Sequence, residues 1–558
     1  MIKRTIRLFF TLRHLRLNQF FFFIIRRGLP ASTVSCTQAV KTNRALTLNQ
    51  PLPVTGVLQA EGGFRFLNIS KVLQVDRFDW CPEDVPRLWR YNLHYFDYLR
   101  DENHSGEYKG SLLESWIASN PQGSQPGWEP FTVSLRIVNW IYYLQAYPAA
   151  QTPAVLQSLY LQVLWLEKND ERHILANHYF ENLKALTFAG AFFDGEDATR
   201  WLRFGAKGLC EQVVEQTLSD GGHYERTPQY HALMLENYLD IFNLALNNRA
   251  LFSTDFLALF NDHCIRGLRF YEEIVFPDQS LPLFNDTAFG ISPTLSDLDQ
   301  YFKTLTKAPS CLHGEQAPVL ALPDSGLFAY RSNSDMFIID AGDIGPSYQP
   351  GHTHCDMLSY ELMLDGQRVI VDSGVSEYEP GAMRQYVRST RAHNTVSVDG
   401  AEQSEVWGEF RVARRAVVLN ANICQYDDKV TFQGAYRGFH ALGGRTVHQR
   451  DVALSLSPEG SITAMTVVDE VKGRGIRNVE TFIHLHPNAV IKEEGPGYLQ
   501  FGFTQGLVYE LRFTEGVDYV LEDSYYCPEF GLVIKNRCVV LQRKSELPTT
   551  LSYTLRKL

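Results

Sequence analysis

Residues 359–372, SYELMLDGQRVIVD, decide the fold of the C-terminal half of the chain. The apolar and β-branched residues on either side of Asp365-Gly366 predict two short strands, at 359–364 and 368–372. An Asp-Gly pair between two such runs is a strong signal for a tight hairpin turn. The stretch therefore predicts an antiparallel β-hairpin.

The same β pattern extends outward from this hairpin as far as the C-terminus. One further strand is predicted before it, at 336–340, and the others follow it, at 395–399, 438–456, 461–469, 506–513 and 532–542. A long series of strands separated by turns is typical of two packed antiparallel sheets. We therefore predict an antiparallel β-sandwich domain over residues 321–558.

Upstream of residue 320 the hydrophobic pattern changes to a helical period. Apolar residues recur at three- and four-residue intervals, as in Leu156, Leu159, Tyr160 and Val163. Further helices are predicted at 178–195, 199–218, 229–248 and 255–274. Consecutive helices joined by short turns form antiparallel hairpins, and a series of them builds a bundle, a solenoid or a toroid. This helical domain is assigned to residues 61–320, with the junction in the Pro-containing stretch 307–324.

The composition is that of a globular protein with two large domains. The chain has 558 residues, of which 45% are hydrophobic and 21% charged. Its net charge of −11 argues against nucleic acid as a partner, although a local basic cleft could still hold a polyanion. Nine cysteines without a C-x-x-C pair predict thiols, not a disulfide framework. The cysteine content is compatible with a location in the bacterial cytoplasm or in the periplasm.

Residues 1–60 differ from the rest of the chain because they contain no Asp or Glu. Their longest apolar run, residues 20–25, is too short for a membrane span and short for a signal-peptide core. Basic residues alternate with apolar ones, which predicts a basic amphipathic arm. Such an arm could contact an anionic membrane surface or pack on the body of the protein.

The densest group of polar residues lies between 351 and 394. It begins with Gly-His-Thr-His-Cys-Asp at 351–356, in which a strand would present His352 and His354 on one face. Asp372 ends the second strand of the predicted hairpin, and His393 follows. Two histidines and an aspartate are a familiar ligand set for zinc or another divalent ion. A second H-x-H, at 484–486, is interpreted as ordinary strand histidines.

Two further groups of polar residues lie in the helical half. In Ala-Asn-His-Tyr-Phe-Glu-Asn, at 176–182, Asn177 and Glu181 share one helix face and His178 lies beside them. Asp-Gly-Gly-His-Tyr-Glu-Arg, at 220–226, is a glycine-rich turn that leads into a helix bearing Tyr230. Such a turn is a good place from which to present side chains, including Tyr224, to a cleft. Taken singly, each group is more typical of a structural role than of a catalytic one.

In combination these motifs resemble the heparinase II/III-like polysaccharide lyases. Asn-His-x-x-Glu, a Tyr-His some fifty residues later, Gly-His-x-His, Val-Asp-Ser-Gly and Ala-His-Asn-Thr-Val occur in the family's order. The stretches 88–97 and 127–140 resemble the family as well. The resemblance implies an incomplete (α/α) toroid followed by antiparallel β-sheets. It also implies β-elimination on a uronate-containing, glycosaminoglycan- or alginate-like polysaccharide.

The resemblance also implies a role for each residue. Asn177 and His178 match the residues that contact the uronate carboxylate, Tyr230 the tyrosine that transfers a proton near the glycosidic oxygen, and His352 the histidine base; Tyr224 is the competing choice for the tyrosine. The implied metal ligands are His354, Asp372 and His393, which would hold zinc, or else manganese, in a structural role. The implied substrate contacts are Glu181, Tyr224, Arg136, Tyr378, Arg384 and Arg388.

Two other functions remain open at this point. A metal-dependent glycan hydrolase would use the same histidines and aspartate to activate water. A non-catalytic glycan-binding or exopolysaccharide-assembly protein would keep the fold without turnover. The polymer, the mode of cleavage and the oligomeric state are not determined by the sequence.

Overall fold

The fold is described from a computed structural model. It covers residues 2–28, 32–36, 40–59, 62–73, 78–314, 317–504 and 506–558. Met1, residues 29–31, 37–39 and 60 of the predicted arm, and residues 315–316 of the predicted junction, lie outside the described residues. The side chains of Lys3, Arg26 and Arg27 lie outside them as well.

Helices dominate the chain up to residue 306. They are α1 Ile2–Leu12, α2 Leu17–Gly28, α3 Arg87–Tyr95, α4 Gly106–Ser119, α5 Pro130–Ala146, α6 Pro153–Asn169, α7 Ala176–Phe192, α8 Glu196–Gln216, α9 Pro228–Asn247, α10 Thr254–Ile274 and α11 Leu295–Thr306. A short helix, α12 Ala382–Val387, lies among the strands. The four helices predicted between 178 and 274 are α7 to α10, with ends shifted by up to three residues.

The helices pack through a core rich in tryptophan. Trp89, Trp116, Trp140 and Trp201 are among its largest fully buried side chains. Helix starts follow ordinary capping chemistry. At the start of α11, the Thr294 side chain accepts a hydrogen bond from the Asp297 backbone, and the Asp297 carboxylate accepts one from Thr294. The apolar period predicted from the sequence is therefore the buried face of these helices.

Strands follow α11. A five-stranded sheet contains β4 Val319–Leu322, β5 Leu327–Arg331, β6 Met336–Asp340, β7 Tyr360–Leu364 and β8 Gln367–Ile370. An eight-stranded sheet has the order β12-β13-β14-β15-β22-β19-β18-β17, formed by β12 Val417–Tyr426, β13 Lys429–Gly438, β14 Thr446–Leu456, β15 Ile462–Lys472, β17 Val490–Gly495, β18 Tyr498–Gly502, β19 Val508–Phe513 and β22 Thr549–Lys557. A four-stranded sheet contains β9 Val396–Val398, β16 Ile476–His484, β20 Asp518–Tyr526 and β21 Ile534–Glu546, and β10 Val406–Trp407 pairs with β11 Arg411–Val412. All of these pairings are antiparallel.

The five-stranded and eight-stranded sheets share one hydrophobic core. Phe328 of β5 contacts Phe432 of β13 at a ring-centroid distance of 5.5 Å. The hairpin predicted at residues 359–372 is present as β7 and β8, and Asp365 and Gly366 have φ of 51° and 74°. Positive φ at both central residues is what a type I′ hairpin turn requires. The predicted hairpin is confirmed.

A small sheet that the sequence did not predict consists of β1 Leu58–Gln59, β2 Gly63–Phe66 and β3 Ile69–Val72. Two local predictions are wrong. The strand predicted from residue 438 begins at Thr446, because a short 3₁₀ turn at His440–Leu442 intervenes. His352 and His354 lie in the loop between β6 and β7, not on a strand.

No disulfide joins the nine cysteines of the described chain, and none of its described helices is long and apolar enough to cross a membrane.

Candidate functional site

Asp286, a residue of the helical half, lies at the centre of the polar cluster that faces the sheets. It belongs to the segment between α10 and α11 and is fully buried. Its Oδ2 lies 2.9 Å from His352 Nδ1, its Oδ1 lies 2.8 Å from His354 Nε2, and both oxygens accept hydrogen bonds from the Arg384 guanidinium. Burial would raise the pKa of Asp286, but Arg384 and the two histidines hold it well below its usual range. Asp286 is therefore an ionised anchor for both histidines.

Asn285 fixes the position of this segment. Its side-chain oxygen accepts a hydrogen bond of 3.0 Å from the His354 backbone, and its own backbone N–H donates to Asp356 Oδ2 at 2.9 Å. Its φ of 57° lies in the left-handed region, which asparagine tolerates better than most residues. Asn285 and Asp286 therefore connect the helical half to the loop at 351–356, which carries both histidines and is called the histidine loop below.

His352 and Tyr230 are in direct contact across the two halves of the chain. Their rings stack with centroids 3.9 Å apart and an angle of 28° between their planes. Tyr230 lies in the first turn of α9, and its hydroxyl is 3.4 Å from that of Tyr378. Burial raises the pKa of Tyr230 above its ordinary value, so its hydroxyl stays protonated. The two residues to which the resemblance assigns the tyrosine and histidine roles therefore lie in contact.

Glu225 is a second carboxyl that reaches this pair. Its Oε2 lies 3.9 Å from His352 Nε2 and has no hydrogen-bond partner among the described residues. Burial raises the pKa of Glu225 above its ordinary value. Because Asp286 holds Nδ1 of His352, Nε2 is the nitrogen left for proton transfer, with Glu225 beside it.

Asn177 and His178 lie at the start of α7, as the sequence predicts. His178 Nδ1 is 3.0 Å from Glu171 Oε1; burial lowers the pKa of His178, but Glu171 more than offsets this and raises it. Asn177 is buried, and its Oδ1 has no hydrogen-bond partner within the described chain. The turn before them is strained, since Leu175 and Ala176 both have positive φ. These two side chains are thus held ready for a ligand.

A pocket with a cavity volume of about 220 Å³ opens beneath Tyr230. Asn177, Glu181 and Tyr378 line it as well. Glu181 Oε1 accepts a hydrogen bond of 2.6 Å from Asn237, while Oε2 is buried without a partner among the described residues. Burial raises the pKa of Glu181. The pocket therefore joins four of the predicted site residues to one ligand-sized space.

Three of the predicted substrate contacts lie elsewhere. Arg136 is fully buried between helices, where its guanidinium stacks over Trp116 at 3.9 Å. Arg388 is buried as well and donates two hydrogen bonds of 3.1 Å to the Thr353 carbonyl, so it supports the histidine loop. Tyr224 bonds to the Tyr348 hydroxyl at 3.1 Å. An arginine or a tyrosine in a family motif need not face the cleft, because packing against neighbouring residues decides where its side chain points.

The candidate metal ligands include one carboxylate that was not predicted. Ligand atoms of His354, Asp356 and His393 lie within 4.8 Å of one another, so Asp356 joins two of the predicted ligands in a group that could hold an ion. Asp372, the third predicted ligand, hydrogen-bonds His393 Nδ1 at 2.9–3.0 Å and orients its ring. His354 Nδ1 and His393 Nε2 are buried without hydrogen-bond partners in the described chain. Two lone imidazole nitrogens beside a carboxylate fit a divalent cation.

A nearby carboxyl supports the same conclusion. Burial, followed by the Asp356 and Asp372 carboxylates, raises the pKa of Asp340 well above its ordinary value. Three buried carboxyls close together are costly without a positive charge among them. The residues therefore fit a divalent ion, although its identity is not fixed by them.

Asp286, Asn285 and Glu225 were not among the predicted site residues. Glu225 lies within the quoted stretch 220–226, so a test of every carboxyl in that turn would have included it. Asn285-Asp286 lies in a loop with no periodicity, and only its position after an apolar run sets it apart. The available signal was a pair of consecutive polar residues in a loop between two helices.

A helical domain followed by antiparallel sheets, with a histidine-rich cleft where they meet, defines the class of toroid and β-sandwich proteins. Within this class the chain belongs to the heparinase II/III-like family. Residues 87–309 match the heparinase II/III N-terminus and residues 315–554 the heparinase II/III-like C-terminal domain.

The relatives are distant. The chain is 24% identical over 352 residues to a heparin-sulfate lyase of Bacteroides stercoris and 26% identical over 340 residues to one of Pedobacter heparinus. Each alignment takes in 54% of this chain and 50% or 49% of the relative, so the chain spans about half the length of the curated relatives it matches.

Solved structures show the same fold. A heparinase III structure aligns with a TM-score of 0.66 at 17% identity, covering 86% of this chain and 79% of that one. A heparan sulfate lyase from Pedobacter heparinus aligns with a TM-score of 0.57 at 17% identity, covering 89% and 81%. The predicted order of an incomplete (α/α) toroid and an antiparallel β-sandwich is confirmed.

Proposed function

We propose that this protein is a polysaccharide lyase that cleaves a uronate-containing glycan by β-elimination. The observation that carries the proposal is the stacked pair of Tyr230 and His352 at the rim of a pocket that also presents Asn177. Base and acid come from different halves of the chain and meet at one point. A sugar ring bound over the pocket would have both groups within reach of the same glycosidic bond.

The reaction needs three tasks, and the site has a group for each. His352 Nε2 takes the proton from C5 of the uronate, and the electron pair of that C–H bond forms the C4–C5 double bond. The C4–O4 bond breaks, and the Tyr230 hydroxyl donates its proton to the departing oxygen. Asn177 and His178 bind the carboxylate, which lowers the energy of the developing enolate. Glu225 stabilises the imidazolium that His352 becomes.

The divalent ion has a structural part in this proposal. When bound by His354, Asp356 and His393 it would supply positive charge to a buried acidic cluster and fix the loop that carries His352. Those three ligands are 1%, 3% and 0% exposed, so substrate does not reach them. This burial disfavours the alternative of a hydrolase in which the metal activates water, because such a site keeps an open coordination position facing substrate.

The charges of the pocket indicate which uronate polymers fit. Both cations on its lining, among the described residues, are already paired with acids. Arg100 lies 2.7 Å from Glu236 and 3.3 Å from Asp97, and Lys184 lies 2.6 Å from Asp240. A sulfate group in the pocket would meet carboxylates without a spare cation. We therefore expect the sugar that fills it to be unsulfated, with hydroxyl or amide groups that donate to Glu181 and Asn177.

A panel of polymers tests both parts of the proposal. Heparan of low sulfation, highly sulfated heparin, chondroitin, hyaluronan and alginate are incubated with the protein, and the absorbance of unsaturated uronides is followed. We expect signal from an unsulfated or sparsely sulfated polymer and at least tenfold less from its sulfated counterpart. Cleavage to saturated products would make the protein a hydrolase, and binding of every polymer without cleavage would leave a glycan-binding protein. Preference for the most sulfated polymer would refute the argument from pocket charge alone.

A further inference from the structure

The helices α1 and α2 present a large apolar surface to solvent. Leu17 is 90% exposed, Phe9 64% and Phe21 60%. Leu8, Phe20 and Ile24 on the same two helices are exposed as well. Isolated exposed apolar residues are common in globular proteins, but six large ones on two adjacent short helices are not. This surface has no counterpart in the catalytic proposal.

The opposite side of these helices is attached to the body of the protein. Thr11 Oγ1 accepts a hydrogen bond of 3.1 Å from Trp407 Nε1, and the buried Gln19 donates to the carbonyls of Ile174 and Tyr348 at 3.2 and 3.4 Å. Arg16 pairs with Glu215 and stacks over Tyr348 at 3.8 Å. Because these contacts fix the position of the helices, the exposed apolar side chains are held facing the solvent.

Charge is segregated in the same segment. Residues 1–60 contain nine Lys and Arg and none of the 63 acidic residues, whereas the whole chain has a net charge of −11. Arg4 and Arg13 are exposed next to the apolar side chains, and Arg13 stacks over Phe10 at 5.2 Å. A positive, apolar surface on an acidic protein is complementary to a surface that is negative and apolar.

We propose that α1 and α2 dock the protein on an anionic lipid bilayer. The helices have 11 and 12 residues, too few to cross a bilayer, so they lie in its plane with the apolar side chains among the lipids. A soluble polyanion would account for the arginines but not for the exposed phenylalanines. A second copy of the chain would cover the apolar residues but would bring two positively charged surfaces together. A bilayer with anionic headgroups satisfies both features.

Docking would place the catalytic cleft near the membrane surface. Ile174, which accepts a hydrogen bond from Gln19, lies three residues before Asn177, and Tyr348 lies four residues before His352. The anchors of the arm thus lie beside both walls of the cleft. The proposal stands without the lyase chemistry, since it rests only on exposure, anchoring and charge.

Cosedimentation of the full chain with vesicles tests it. We expect binding to phosphatidylcholine vesicles that contain phosphatidylglycerol, much weaker binding to phosphatidylcholine alone, and weakening by salt. The double variant Phe9→Ser, Phe21→Ser should bind at least roughly tenfold more weakly. Arg4→Glu, Arg13→Glu should lose the preference for anionic vesicles. As a matched control, Tyr426→Ser, Val490→Ser removes two side chains that are 61% and 52% exposed elsewhere and should bind like the unaltered protein.

Three results would overturn the proposal. One is equal binding of the Phe9, Phe21 variant and the control, with both folded by circular dichroism. Another is equal affinity for neutral and anionic vesicles. The third is a dimer, seen by light scattering, that Phe9→Ser, Phe21→Ser dissociates while no vesicle binds, which would assign the surface to a second copy. Turnover of a soluble polymer should be unchanged in all of these variants, so failure of the lyase proposal remains distinguishable.

Discussion

Replacement of Asp286 by asparagine is the sharpest test of how the site is built. The amide has the size of the carboxylate but no charge, so packing is preserved while three interactions change. Arg384, 1% exposed, loses its anionic partner but keeps the Glu409 carbonyl, at 2.8 and 3.1 Å. The amide has one acceptor oxygen in place of two, so one of His352 and His354 loses the acceptor that fixes its ring.

Both stability and activity should fall, by separate mechanisms. Removal of one partner of a buried ion pair destabilises a protein by about 3–5 kcal/mol. Loss of a well-oriented general base lowers turnover by roughly 10²–10⁴-fold. Urea unfolding gives the first quantity, and kcat/KM from uronide absorbance at a temperature where the variant is folded gives the second. Binding of the polymer should change little, since Asp286 does not line the pocket.

The control is a carboxylate of the same type at the surface. Asp523 is 70% exposed and pairs with Arg537, so Asp523→Asn should cost about 0–1 kcal/mol and leave turnover unchanged. Suppose Asp286→Asn kept turnover within about threefold and lost less than about 1 kcal/mol. Then Asp286 would not orient the histidines, and the assignment of His352 as base would lose its structural support.

Other measurements address the remaining parts of the site. Tyr230→Phe should abolish turnover with folding and polymer binding intact; if Tyr224→Phe were the inactive variant instead, the proton donor would be Tyr224. Purified protein should contain close to one divalent ion per chain, and His393→Ala and Asp356→Asn should both lose it and melt at lower temperature; metal analysis that finds equal content in all three proteins would refute the ligand assignment. Burial would raise the pKa of Asp469, but Arg450 and His448 hold it below its usual range, so this stabilisation is complete above about pH 4 and is lost as the pH falls further. The melting temperature of Asp469→Asn should therefore be lower at about pH 5 and should change less than that of the unaltered protein between about pH 5 and pH 2. An equal change of melting temperature with pH in both proteins would contradict this.

Much of the fold could be predicted because local patterns coincide with the tertiary structure. The helix predicted at 229–248 is Pro228–Asn247, and it is buried on nearly every side, as its many apolar residues require. The Asp365-Gly366 turn sets the register of the β7–β8 hairpin, because both residues adopt the positive φ that such a turn requires. The small sheet at residues 58–72 escaped prediction because its three strands have two to four residues each, too few to show a period.

The site could be predicted in part. Tyr230 and His352 carry side chains whose chemistry limits the choice of roles, and their contact follows from the family order of motifs. The choice between Asp356, before β7, and Asp372, after β8, as metal ligand depends on side-chain direction, which no periodicity records. Arg136 failed for a related reason. A cation in a motif predicts an anion contact, yet its guanidinium is enclosed by helices and stacks on Trp116.

The segment that carries Asn285 and Asp286 has a consequence for how this architecture can be recombined. His352, the proposed base, belongs to the half that contains the sheets, but the carboxylate that orients it belongs to the helical half, and so does the backbone N–H that holds Asp356. A chimaera joined between residues 307 and 319 would take the two members of each of these pairs from different parents. Exchange of the helical half between relatives should therefore succeed only when residues 281–287 match the histidine loop of the protein that supplies the sheets. The loop at 351–356 in turn restricts which relatives can supply the helices.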